Sequence, residues 1–120
     1  MNKYECKCNS QPTIPQINTN MIIYNITYSI SHEAEKEWLH YMRTTHIPAI
    51  LDTTLPLECK LLRLLTEIEN EGTTYTNQYL FRTMEDFLAY QTHFQAESQQ
   101  RHHDLFNGKY VSFRTLLEEA

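Results

Sequence analysis

Glu37-Trp38-Leu39-His40-Tyr41-Met42-Arg43-Thr44-Thr45-His46-Ile47-Pro48 reads as an amphipathic helix that carries the only tryptophan and breaks at a His-Ile-Pro corner. Trp38, Met42 and His46 recur at i, i+4 and i+8, with Leu39 beside them, and so form one stripe. Glu35, Glu37, His40 and Arg43 fall largely on the other side, toward water. Ser31 is a candidate N-cap, and Glu33 and Glu35 put carboxylates in the first turns, where they complement the helix dipole. Pro48 has no N–H for the carbonyl of Thr44 and disfavours helical geometry at Ile47, so a kink or an end is predicted near His46. From Pro48 a short second turn can run through Ala49, Ile50 and Leu51. His46 then stands at a helix C-terminus, where an imidazolium caps the last carbonyls. That capping role outweighs a ligand or proton-transfer role in this reading.

Upstream, Met21 to Ser31 alternates strictly, Ile22, Tyr24, Ile26, Tyr28 and Ile30 against Ile23, Asn25, Thr27 and Ser29, which is the period of a strand. Downstream, Leu57 to Ile68 is a second strand with apolar residues on both faces, and Arg63 is expected to stand buried among leucines. Glu69-Asn70-Glu71-Gly72 reads as a hairpin turn, with Gly72 supplying a positive φ. Thr73 to Arg82 is the third strand. Thr83-Met84-Glu85-Asp86 resembles a capping box and opens a second helix whose stripe is Phe87, Tyr90 and Phe94; its polar part, Glu97 to Asp104, is expected to project into water. Asn107-Gly108 stops it. Lys109 to Leu117 is the fourth strand.

The order β-α-β-β-α-β predicts an α+β, ferredoxin-like fold: a four-stranded antiparallel sheet with both helices on one face. Residues 1–20, polar with Pro12 and Pro15, read as a disordered leader ahead of a single domain, 21–120, with Met21 a candidate start. At 41% hydrophobic and 21% charged residues, the composition is that of a globular chain. Two glycines cannot build a phosphate-binding loop. A net charge of −5 argues against nucleic acid and anionic membrane surfaces as partners. No apolar run reaches the ~20 residues of a membrane span, and no signal peptide is visible, so a cytoplasmic location is expected. An odd count of three cysteines agrees with a reducing compartment; Cys6-Lys7-Cys8 is a lone pair without a partner motif and reads as free thiols. Six scattered histidines make no recognisable ligand set, and no metal is expected.

The sheet side away from the helices is expected to display Asn25, Thr27, Thr76 and Gln78, with Leu62, Leu64, Ser112 and Arg114. Such a mixed surface suits pairing of two copies, sheet to sheet, into a dimeric α+β barrel.

Met21-Ile22-Ile23-Tyr24-Asn25-Ile26-Thr27, Trp38-x-x-x-Met42-x-x-x-His46-Ile47-Pro48, Met84-Glu85-Asp86-Phe87 and Phe113-Arg114-Thr115-Leu116-Leu117 together resemble a bacterial family known only as domain of unknown function 4286. The resemblance covers about residues 21 to 118. It implies a dimeric α+β-barrel-like fold and no established activity or site.

Three functions compete. The first is a non-catalytic homodimer binding a small ligand or partner in the sheet-face cleft, with Asn25, Thr27, His46, Arg63, Gln78 and Arg114 as ligand-binding residues and no cofactor. The second is an enzyme resembling the small cofactor-free or haem-degrading monooxygenases of this architecture, which use an Asn on the first strand and an aromatic residue and sometimes a His on the second helix. Asn25, Tyr90 and His102 would fill those places, although the aromatic there is usually Trp and Trp38 is on the other helix. His102-His103 lies in the segment expected to be solvated. The third is a structural or regulatory dimer with the sheet face used up by pairing.

Overall fold

The alternating stretch forms β1 (Ile22–Ser31), with Ile22, Tyr24, Ile26, Tyr28 and Ile30 buried and the intervening side chains half-buried on the other face. The computed structural model describes residues 20–66 and 72–120. The leader through residue 19, the Cys6-Lys7-Cys8 pair and the turn residues Glu69, Asn70 and Glu71 lie outside the described residues.

A 3-10 turn, His32–Ala34, leads into α1 (Glu35–Tyr41), which a π turn, Met42–His46, joins to α2 (Ile47–Leu51). Ser31 occupies the predicted cap position, but its hydroxyl bonds no backbone N–H. The rod does not end at His46. In an α-helix an i, i+4 row drifts by about 40° per step. The wider winding of a π turn takes that drift back, and it falls where Pro48 denies the carbonyl of Thr44 its partner. Trp38, Met42, His46 and Ile50 therefore stay on one buried line.

β2 (Pro56–Arg63) and β3 (Gly72–Phe81) follow; a bulge between Pro56 and Glu58 leaves Leu57 exposed. Gly72 is needed for room, not for the positive φ expected of it. Gly108 is the glycine with positive φ, and a Cβ on Gly72 would stand 2.1 Å from the carbonyl oxygen of Ile30. α3 (Met84–Tyr90) starts at Thr83, whose hydroxyl accepts from the Asp86 N–H at 3.1 Å. A second π turn, Gln91–Gln95, carries it into α4 (Ala96–Phe106), and β4 (Tyr110–Glu118) closes the chain.

The sheet order is β2-β3-β1-β4, all antiparallel, with the helices on one side: the ferredoxin-like arrangement. Its core is aromatic, built from Tyr24, Tyr28, Tyr75, Tyr79 and Phe81 of the sheet against Trp38, Phe87, Tyr90 and Phe106 of the helices. Among the described residues no helix is long and apolar enough to cross a membrane.

Candidate functional site

The second π turn decides what faces the sheet. After Tyr90 the next inward residue is five positions on, Gln95, and not Phe94, which is 37% exposed. Ser98, His102 and Phe106 then follow at helical spacing, all buried. The expectation that Glu97 to Asp104 projects into water is thus wrong for its inner face. The Tyr24 hydroxyl donates to Gln95 Oε1 at 3.0 Å, and Trp38 Nε1–H donates to His102 Nε2 at 2.8 Å. A neutral His102 that accepts at Nε2 carries its proton on Nδ1.

His102 also meets the rings of Tyr110, Tyr28 and His46 at centroid separations of 4.5, 5.0 and 5.8 Å. Burial holds its pKa down to about 4, helped by the nearby His103. His46, only 3% exposed, is held down to about 3 by burial, then by His102 and Arg101. It is a neutral ring packed between the helices, with Nδ1 unpartnered, and not the cationic cap read from the sequence. The helix runs on through Pro48, so there are no terminal carbonyls at His46 to cap.

Beside His102 a cleft of about 210 Å³ opens between α4 and the edge strand β4, lined also by Ile26, Tyr28, Gln99, Tyr110, Ser112 and Arg114. β4 pairs Ser112 with Tyr28 and Arg114 with Ile26, which puts both on the helix side of the sheet. That corrects their expected place on the open face: Val111, Phe113, Thr115 and Leu117 are the β4 residues there. A period of two fixes which residues share a face but not which face is roofed. Arg114 sits against the Tyr24 hydroxyl and close to Tyr28 and Tyr90, whose pKa values burial pushes up despite the cation. Among the described residues no carboxylate pairs with Arg114; the Arg and Lys ion pairs there are Arg101–Glu97 and Lys109–Glu33.

The other predicted residues are dispersed. Asn25, Thr27 and Gln78 do come together on the open face, where Thr27 and Thr76 share a hydroxyl contact of 3.0 Å, Gln78 lies opposite Asn25, and Asn25 Oδ1 has no partner. Phe113, Val111 and Leu117 border this polar lane on one side, 63%, 69% and 44% exposed, and Leu62 on the other. Arg63 is exposed at the end of edge strand β2, near the Tyr75 phenol, and not buried among leucines.

The proposed oxygenase set is not assembled: Asn25 is on the open face, Tyr90 and His102 on the roofed one. Haem does not fit the cleft either. About 210 Å³ is roughly seven water volumes, far short of a tetrapyrrole, and His102 Nε2 is taken by Trp38. Among the described residues no three His, Cys, Asp or Glu side chains converge as a metal site. Gln95, Ser98 and Gln99 escaped the sequence reading; the spacing of Ser98, His102 and Phe106 was the available signal.

A family model, described as a domain of unknown function (DUF4286), matches residues 21–120. No curated relative matches the chain. Solved structures share the fold at low identity. One is a dimeric ferredoxin-like protein from an uncultured marine organism, 11% identical with a TM-score of 0.59 over 83% of this chain and 96% of that one. Another is SnoaB, a cofactor-independent oxygenase from Streptomyces nogalater, 14% identical with a TM-score of 0.54 over 82% and 91%. A third is a nipsnap family protein of unknown function from Agrobacterium tumefaciens, 14% identical with a TM-score of 0.61 over 89% and 95%.

Proposed function

Because the chain belongs to the family of domain of unknown function 4286, whose description names no function, we propose from the site alone that it is a non-catalytic homodimer that binds a small ligand. Two copies pair through the open sheet face, and the ligand lies on the other side, between α4 and β4. The observation that carries the ligand is the cleft itself, polar along Gln99, Ser112 and Arg114 and facing no carboxylate among its lining residues. Pairing is supported by the exposed Val111, Phe113 and Leu117 bordering a lane whose Asn25 oxygen lacks a partner, and by the dimeric description of one structural relative. The cell compartment is taken as the cytoplasm.

Native mass spectrometry of protein purified from its own host tests both parts. A dimer carrying a small added mass that is released on denaturation is expected. A bare monomer at micromolar concentration refutes the reading.

A second reading is cofactor-independent oxygenase chemistry like that named for SnoaB. It is favoured by one observation, a neutral His102 imidazole held against the cleft by Trp38. His102→Gln binding the retained molecule but no longer consuming oxygen with it would select this reading over the first.

A further inference from the structure

We propose that the cleft between α4 and β4 selects a single-ring organic anion, its carboxylate on Arg114 and its ring against Tyr28, Tyr110 and His102. This rests on the ligand-binding reading and names the class of ligand. The charge follows from the lining: Arg114 is its one charged member, since His102 is neutral near pH 7 and the rest are uncharged. The acidic side chains of α4 do not answer it. Glu97 pairs with Arg101 at 3.1 Å, and Asp104 accepts from Gln100 at 2.8 Å. A guanidinium without a carboxylate, set between aromatic groups and an open cleft, suits the planar, bidentate recognition of an incoming carboxylate.

The ring follows from shape. Ligand sites for drug-sized molecules run to about 300–1,000 Å³. This cleft, at about 210 Å³, has room for one ring and its substituents, a cavity of about 150 Å³ being enough for benzene. Tyr28, Tyr110 and His102 border the cleft with their rings, its open surface is mostly polar, and Gln99 and Ser112 leave hydrogen-bonding groups for a polar ring substituent.

Benzoate and benzyl alcohol, alike in ring and differing in charge, are titrated to tens of millimolar into ¹⁵N-labelled protein, with the Trp38 indole N–H and the amides of Gln99 and Ser112 as reporters. Saturable shifts are expected for both, with benzoate about tenfold tighter. Arg114→Gln is expected to bring benzoate down to the level of benzyl alcohol, while Arg63→Gln, at the far edge of the sheet, leaves it unchanged. Equal binding of the two probes to the wild type, or unchanged benzoate affinity in Arg114→Gln, overturns the anion assignment but leaves the cleft a binding site. If neither probe moves a reporter, the ligand-binding reading falls with it.

Discussion

Acid should unfold this protein through two histidines. His46 and His102 are each 3% exposed and have pKa values held down to about 3 and about 4. In the unfolded chain both return to about 6.5. Between those values the unfolded state binds protons that the native state refuses, so stability is full above pH 6.5 and is lost as the pH falls toward 4. At pH 5 both are still neutral in the native state, and the loss is fixed by the unfolded value: about 2 kcal/mol for each ring, about 4 kcal/mol together, relative to pH 7.5. That is a large share of the 5–15 kcal/mol typical of a domain. With a urea m-value of roughly 1–1.5 kcal/mol/M, the unfolding midpoint should drop by roughly 3 M between pH 7.5 and 5, at fixed protein concentration. His46→Phe keeps a ring against Tyr41 and His102 and removes a nitrogen that has no partner. It should fold, and it should show about half the pH-dependent drop. A variant whose midpoint falls as far as that of the wild type would refute the assignment of His46 as a buried neutral group.

Trp38→Phe removes the donor to His102 Nε2. A loss of about 2–4 kcal/mol is expected in urea unfolding, with the His102 pKa rising in an NMR titration because the bond that favoured its neutral form is gone. The Cys59 thiol is pushed up to about 12, chiefly by burial, so iodoacetamide at pH 8 should alkylate it at least ~100-fold more slowly than in denaturant, read by peptide mass mapping. Thr83→Ala deletes the cap on the Asp86 N–H and should cost about 1 kcal/mol, restored by Thr83→Ser. Phe113→Glu puts a charge on the open face and should give a monomer by light scattering while leaving benzoate binding unchanged.

The fold was legible because its signals are local. The alternation of Ile22 to Ile30, the Trp38-Met42-His46 row and Thr83 before Met84 each name an element without reference to the rest of the chain. The site was not, because it depends on register. Nothing in Gln91 to Gln95 announces a π turn, yet that turn exchanges Phe94 for Gln95 on the inner face and so brings His102 under the roof. The same holds for β4, where Ser112 and Arg114 are expected on the open face and pairing with β1 puts them on the other. Val111, Phe113 and Leu117 look like the packed set, but every β4 residue after Tyr110 is exposed, and pairing with β1 puts these three on the open face. His46 was misjudged for a related reason: a proline after a histidine suggests an end, and the π turn let the helix continue.

The sheet also separates what the sequence had merged into one site. Asn25 and Ile26 are neighbours on β1, and their partners on β4 are Thr115 and Arg114, so Asn25 and Arg114 stand on adjacent strands yet point to opposite sides. A single small ligand cannot touch both. The open face, with its apolar borders and a polar lane, has the composition of a pairing surface, and the roofed face has the cleft. Pairing of two copies through the first would neither close nor complete the second, since every residue lining the cleft comes from β1, α4 or β4 of one chain. On the proposed reading, association and ligand binding would therefore be two separable properties, on opposite sides of one sheet.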